Sequence, residues 1–151
     1  MFVNVRSQVH RCWPTRPKIV AVIEPELPPI GPGRSDLRLR CRKVGDDTVV
    51  VSVAGELDVA TVPQLGAYLR ATTASHPAHL VLDLSGVTFL ASAGVGLLMA
   101  AHDGQQGIHG QLHLTGVAAK RAVHHVLEVL GVLARFDIHD DEDDLLRRLA
   151  H

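Results

Sequence analysis

The chain has 151 residues, a length typical of one domain with a sizeable core, and 46% of its residues are hydrophobic. That composition excludes a disordered chain. A net charge of -1 and 3% aromatic residues supply neither the basic surface nor the stacking platform of a nucleic-acid-binding protein. No apolar run approaches the roughly 20 residues that span a membrane. The two cysteines, Cys12 and Cys41, suggest neither a disulfide framework nor a zinc motif, so we expect a cytoplasmic protein with reduced thiols.

Residues 1–35 form a proline-rich segment that holds six of the eight prolines of the chain. Because proline fixes the backbone and removes a hydrogen-bond donor, we expect a flexible N-terminal extension here and place the folded domain at residues 36–151. One β-prone run, at residues 18–23, could still pair with another strand, including a strand of a second chain.

The next segment alternates apolar and basic side chains, with Leu37, Leu39 and Cys41 on one face and Arg38, Arg40 and Arg42 on the other. This period of two predicts a half-buried strand, which we interpret as a solvated edge strand. A turn at residues 45–47 and a second strand at residues 48–54 complete a hairpin.

The segment that follows contains two acidic residues, Glu56 and Asp58, and leads into a helix that ends near Thr72. We expect Asp58 to cap that helix, with Pro63 in its first turn. Two carboxylates this close could perform acid–base chemistry or hold a metal, but one exposed acid and one cap is the interpretation that we favour.

Residues 81–98 read VLDLSGVTFLASAGVGLL and change period in the middle. The apolar start predicts a strand that is buried on both faces and ends at residues 85–86, and helical spacing takes over near Val95. Ser92 lies where a helix N-cap is expected. Gly94 and Gly96 leave one side of the turn without side chains, so that another backbone could approach closely.

The remainder of the chain continues to alternate between strand and helix patterns. The Ser92 helix should stop at Gly107, and it is followed by a strand at residues 111–115 and a helix at residues 118–130. A short strand is expected at residues 136–138, and the acidic run at residues 140–144 should open a last helix. The pattern predicts an α/β fold, with four to five strands in a mixed sheet and about four helices packed against it.

The sequence lacks the motifs of common enzyme and metal sites. Ten histidines are present, but neither His109 and His113 nor the adjacent pair His124 and His125 forms a metal-binding motif, so we interpret them as scattered surface residues. The glycines near Ser92 match neither a dinucleotide fingerprint nor a nucleophile elbow. We therefore predict no catalytic residue, no metal and no cofactor.

Two segments resemble one known family. The run at residues 81–98 resembles the signature of STAS domains of the anti-sigma factor antagonist type, and VAGELDVAT at residues 53–61 is similar to the other recurring segment of that family. The resemblance covers the chain from about Leu37 onward. It implies the STAS fold and a regulatory binding module rather than an enzyme.

The turn around Ser92 departs from the usual pattern of the family, which reads Asp-Ser-Ser-Gly and is phosphorylated on its second serine by the anti-sigma factor. Here Ala91, Ser92, Ala93 and Gly94 occupy those four positions, so that alanine replaces the usual acceptor. Ser92 is the only hydroxyl-bearing residue of the turn and remains the phosphorylation candidate, one position early. The alternative role for Ser92 is a plain helix cap.

The resemblance implies an anti-sigma factor antagonist that binds a serine kinase of ATPase fold through the loop at residues 56–58 and the Ser92 turn, and so releases a sigma factor. A phosphatase is a further candidate partner. The expected partner-binding residues are Glu56, Asp58, Thr61, Ala91, Ser92, Ala93, Gly94 and Gly96. Two other functions remain open: a partner subunit of a transporter or stress-signalling complex, and a nucleotide-binding protein.

Overall fold

The computed structural model describes residues 3–6, 19–25, 37–118 and 121–150, and a seven-stranded sheet with its strands in chain order forms its centre. The strands are β1 (Val3–Arg6), β2 (Ile19–Pro25), β3 (Arg38–Val44), β4 (Thr48–Leu57), β5 (His79–Leu90), β6 (Gln111–Thr115) and β7 (Asp137–His139). Neighbours from β1 to β4 pair antiparallel, and neighbours from β4 to β7 pair parallel. The sheet is mixed, as predicted, and residues 36–151 supply five of its strands, which agrees with the predicted four to five.

Four α-helices lie in the described part of the chain: α1 (Val62–Thr72), α2 (Ser92–Gly107), α3 (Arg121–Val129) and α4 (Glu142–Leu149). The first three connect neighbouring parallel strands, as parallel pairing requires a crossover connection. Their buried side chains form one large core with one face of the sheet. Helix α4 packs on the opposite face, where Leu145 and Leu146 join a smaller core.

Strand β5 is buried on both faces, as its apolar run predicted. Leu82 belongs to the large core and Val81 to the smaller one, and both are 0% exposed. The expected end at residues 85–86 is wrong, because the strand continues to Leu90. Gly86 permits this continuation, since a Cβ atom there would lie only 2.7 Å from the Cβ of Ala54 on β4.

The predicted hairpin is confirmed, because β3 is paired along its whole length with residues 48–54 of β4. Cys41 is buried and Arg40 is exposed, as the alternation indicated, and burial raises the pKa of the Cys41 thiol to about 12. The interpretation of β3 as an edge strand is wrong, because β2 pairs with its other side. Arg42 is also less solvated than expected, since it forms an ion pair with Glu142 at the start of α4.

The N-terminal segment contributes two regular strands to the sheet. The β-prone run is part of β2, which pairs with β3 of the same chain. Strand β1 pairs with β2 in turn. The division of the chain into an extension at residues 1–35 and a domain at residues 36–151 stays a prediction.

The C-terminal elements agree with the sequence apart from α3. Helix α4 opens within the acidic run, where the Asp141 side chain accepts hydrogen bonds from the amides of Asp143 and Asp144. Helix α3 is shorter than the predicted span of residues 118–130, and Ala122 and Leu130 are exposed. Among the described residues, no helix is long and apolar enough to cross a membrane.

Deletion of residues 1–34 tests the proposed domain boundary. We expect the shortened chain to keep a cooperative thermal transition, because both cores are built from side chains of residues 37–146 in the part of the chain whose burial is described. Circular dichroism and calorimetry measure the transition. Its loss on deletion would show that β2 is required for folding and would move the domain boundary toward the N-terminus.

Candidate functional site

Two loops meet at the edge of the sheet where the parallel strands β4 and β5 end. One loop leads from β4 into α1, and the other leads from β5 into α2. The amide of Ala91 donates a hydrogen bond of 2.9 Å to the carbonyl of Leu57, and this bond holds the starts of the two loops next to each other. The structure thus brings together the two segments that the sequence singled out.

The first loop is a tight turn organised by Asp58. Its carboxylate accepts hydrogen bonds from the amides of Ala60, at 2.9 Å, and Thr61, at 3.1 Å. Helix α1 begins only at Val62, with Thr61 as its N-cap residue and no side-chain capping bond. The expectation that Asp58 caps the helix is therefore wrong, because its carboxylate stabilises the turn that precedes the helix.

Thr61 is buried under this loop and stabilises it with two hydrogen bonds. It is 2% exposed. Its hydroxyl donates to the carbonyl of Glu56 at 2.7 Å and accepts from the amide of Asp58 at 2.9 Å. Thr61 thus positions the loop, while Glu56 is the exposed acid of the pair, as the favoured interpretation of the two carboxylates proposed.

The second loop places the Ser92 side chain on the surface. Ala91 is the N-cap residue of α2 and has an extended backbone, and Ser92 is the first residue of the helix. The prediction that Ser92 is the N-cap is wrong, and no side-chain capping bond forms at this end. Ser92 is exposed, while Ala93 beside it is only partly exposed.

The two glycines of this turn have different surroundings. Gly94 is buried, and a Cβ atom there would lie 2.7 Å from Leu90 Cδ1 and 2.9 Å from Leu57 Cγ. Gly96 is exposed, with nothing within 4 Å of a Cβ position. Gly94 therefore allows α2 to pack on the core, and only Gly96 leaves the bare surface that the sequence suggested.

Two exposed apolar side chains flank these loops, and the sequence analysis did not identify them. Val59, in the first loop, is 78% exposed, and Phe89, next to the last residue of β5, is 49% exposed. Phe89 pairs with Glu56 in the register of β4 and β5. We call the set Glu56, Val59, Phe89, Ser92 and Gly96 the loop surface. Phe89 lies here because β5 continues beyond residue 86, which the sequence pattern did not indicate.

A second polar cluster lies on the sheet face that α4 covers, and it was also missed. His113 Nδ1 lies 2.5 Å from Asp137 Oδ2, which is 2.9 Å from His139 Nε2, and His113 Nε2 lies 3.1 Å from His79 Nδ1. His113 is buried, so the interpretation of the histidines as scattered surface residues is wrong for it. The D-x-H spacing on a predicted strand was the pattern that could have indicated two side chains on one face.

The electrostatic environment of this cluster favours a neutral imidazole beside an ionised carboxylate. Burial lowers the pKa of His113, and the nearby Asp137 offsets that effect only in part. Partial burial tends to raise the pKa of Asp137, but the hydrogen bonds from His139 and His113 outweigh it, so the pKa is lowered overall.

The different surroundings of Gly94 and Gly96 predict opposite effects of the same substitution. Gly94→Ala should destabilise the fold by about 1–3 kcal/mol, because the new methyl group overlaps Leu57 and Leu90. Gly96→Ala should be neutral or stabilise by up to about 1 kcal/mol, since alanine favours the helix and meets no neighbour. Urea unfolding of the two variants measures both effects. Equal destabilisation would contradict this account of the turn.

Comparison with known proteins agrees with this geometry. The chain is 35% identical over 77 residues to the anti-sigma-F factor antagonist RsfB of Mycobacterium tuberculosis, a match that covers 50% of this chain and 62% of the relative. The match thus spans less than two thirds of that relative. The crystal structure of an anti-sigma factor antagonist from Mycobacterium paratuberculosis superimposes with a TM-score of 0.65 at 28% identity, over 80% of this chain and 98% of that one.

The structure of the anti-sigma factor antagonist SpoIIAA in its unphosphorylated form shares the fold, with a TM-score of 0.63 at 21% identity over 76% of this chain and 98% of that one. The family described as Mlab, STAS domain matches residues 42–136. That range contains both loops and the strands and helices that hold them. Because it covers more than half of the sequence, the chain belongs to the STAS domain family.

Proposed function

We propose that this chain is an anti-sigma factor antagonist that binds its anti-sigma factor through the loop surface and thereby releases a sigma factor. The observation that carries the proposal is the hydrogen bond between Ala91 and Leu57, which holds the two family segments side by side at one edge of the sheet. The relatives RsfB and the Mycobacterium paratuberculosis protein, which are named as anti-sigma factor antagonists, support it.

The loop surface has the composition of a contact site for a protein. Val59 and Phe89 offer exposed apolar area, while Glu56 and Ser92 supply a charge and a hydroxyl. Aromatic side chains of this kind are enriched in protein interfaces. Gly96 adds a stretch of bare helix on which a partner backbone could pack.

Ser92 is the residue through which such a contact could be regulated. Its side chain is exposed at the first position of α2, whereas the residue at the usual acceptor position of the family, Ala93, has no hydroxyl. A phosphate adds about -1.5 to -2 charges, and a helix N-terminus accommodates negative charge. Phosphorylation would therefore leave this domain folded while it places a hydrated dianion within the contact.

The proposed partner is consequently an anti-sigma factor that is also a serine kinase of ATPase fold. Such a kinase would have to approach the loop surface in order to bind the antagonist and to reach the Ser92 hydroxyl. The phosphorylated form would then no longer bind, because the phosphate occupies the surface that the partner covers. A phosphatase would restore the binding form.

Substitution of Ser92 tests this regulation. Ser92→Glu should abolish binding to the proposed anti-sigma factor partner, because it puts a charge on the loop surface. Ser92→Ala should keep binding within about threefold, because the hydroxyl makes no capping bond. Ser75→Glu is the matched control, since Ser75 is exposed in the turn that follows α1, away from both loops. Calorimetry measures the affinities, and circular dichroism checks the fold.

Normal binding by the Ser92→Glu variant would remove Ser92 from the contact. Incubation of the unmodified chain with the kinase and ATP gives an independent result, for which we expect one phosphate, on Ser92. Labelling of Ser85 or Thr88 instead would show that the switch lies elsewhere. Binding without labelling would mean that Ala93 has made the antagonist constitutive.

The exposed apolar residues provide a second test that does not depend on phosphorylation. Phe89→Ser and Val59→Ser should each weaken binding at least about tenfold, which corresponds to about 1.4 kcal/mol of lost contact energy. Leu130→Ser and Val129→Ser are matched controls, because these residues are 47% and 67% exposed at the end of α3. If the α3 variants weaken binding while the loop variants do not, the contact lies on α3.

A further inference from the structure

We propose that His113, Asp137 and His139 form a binding site for one divalent transition-metal ion of the zinc type. Each residue can offer one ligand atom, and the three atoms lie within 4.8 Å of one another. Two imidazoles and a carboxylate are a donor set that zinc uses in proteins. The site is separate from the loop surface and does not depend on the proposed function.

The positions of the three residues follow from the pairing of β6 with β7. His113 is aligned with Asp137 in the parallel register, and His139 lies two residues further along β7, so its side chain points to the same face as that of Asp137. Two neighbouring strands thus present three ligand groups on one side of the sheet. Neither strand alone carries the set, which explains why no spacing motif appears in the sequence.

The two hydrogen bonds of Asp137 are close to the separations that a bound ion needs. Around a tetrahedral zinc ion with bonds of about 2.0–2.1 Å, ligand atoms are separated by roughly 3.3 Å. The two contacts of the Asp137 carboxylate, at 2.5 and 2.9 Å, would have to lengthen by less than about 1 Å. The Asp137 side chain is 54% exposed and can move outward, whereas the His113 side chain is only 4% exposed and is held in place.

His79 supplies the outer support that metal-bound histidines usually have. In the structure its Nδ1 lies 3.1 Å from His113 Nε2. Because an ionised carboxylate only accepts hydrogen bonds, the proton of the neutral His113 lies on Nδ1 when it contacts Asp137. With an ion bound at Nδ1, His113 would carry its proton on Nε2 and donate it to His79 Nδ1, and His79 would then carry its own proton on Nε2. One hydrogen-bonded pair thus serves both the free and the bound state.

The protonation states also suit a metal. Metal binding requires neutral imidazoles and an ionised carboxylate. Burial lowers the pKa of His113 and so favours its neutral form, and the hydrogen bonds from His139 and His113 lower the pKa of Asp137 and so favour its ionised form. The partial exposure of Asp137 and His139, at 54% and 20% of their side chains, gives the ion an entry path and leaves room for a water molecule as fourth ligand.

A bound ion would join β7 to β6 more firmly. Strand β7 has three residues and pairs along one side with β6. It is followed directly by the acidic turn that opens α4. A metal that links His113 to both ends of β7 would therefore stabilise the C-terminal part of the fold, and metal binding should raise the unfolding temperature.

The test uses the full chain without a histidine tag, treated with EDTA and then dialysed near neutral pH. Calorimetric titration with Zn²⁺ should give one ion per chain, and Zn²⁺ should raise the unfolding temperature, while Mg²⁺ should do neither. His139→Gln and Asp137→Asn should each weaken Zn²⁺ binding at least about tenfold. His125→Gln and Asp103→Asn, which alter exposed residues of α3 and α2, should leave the affinity unchanged.

A second measurement covers variants that fail to fold. In NMR spectra of the unmodified chain, Zn²⁺ should shift the ring signals of His113 and His139 first. Shifts confined to other histidines, the absence of Zn²⁺ binding, or equal binding by His139→Gln, Asp137→Asn and the controls would overturn the proposal. In each of those cases the cluster is a hydrogen-bonded network only. None of these results bears on binding of an anti-sigma factor, so the two proposals fail separately.

Discussion

The parallel pairing of β4 with β5 is the constraint on which the rest of this structure depends. It places the ends of the two strands at the same edge, and the hydrogen bond from Ala91 to Leu57 fixes the loops that leave them. The strands approach closely at Gly86, where any side chain would overlap Ala54. Displacement of either strand would separate the turn around Asp58 from the turn around Ser92, and the loop surface would no longer exist.

The sheet separates a face that supports the loops from a face that holds the polar cluster. Helices α1 and α2 start at the two loops and pack on the large core, where Leu57 and Leu90 surround Gly94. On the other face the smaller core leaves room beside Val81 for His113, which is aligned with it in the register of β5 and β6. The two candidate sites thus use different faces of the same sheet.

The sequence predicted much of the fold, because period and turn residues act locally. The hairpin, the doubly buried β5 and the acidic start of α4 were all derived from patterns within about ten residues. Features that depend on close approach between strands were missed: the continuation of β5 past Gly86 requires the fit against Ala54, which no local pattern shows. The interpretation of β3 as an edge strand failed for the same reason, since its partner β2 lies in a proline-rich segment.

The candidate site was predicted in part for similar reasons. The motifs located the two loops, but the roles of individual residues depended on one or two positions of register. Ser92 lies one residue past the N-cap, and Asp58 stabilises a turn rather than the helix itself. Thr61 and Gly94 turned inward, whereas Phe89 turned outward. The polar cluster required the pairing of β6 with β7, which is a tertiary contact and cannot be read from spacing along the chain.

Hydrogen–deuterium exchange of the chain, free and mixed with the proposed anti-sigma factor partner, tests the central claim most directly. The account predicts that binding slows exchange at residues 56–62 and 89–96, which form the two loops, and leaves the amides of residues 73–79 and 123–131 unchanged. Protection confined to those latter segments, with exchange in the two loops unaltered, would show that the partner binds elsewhere and would contradict the account.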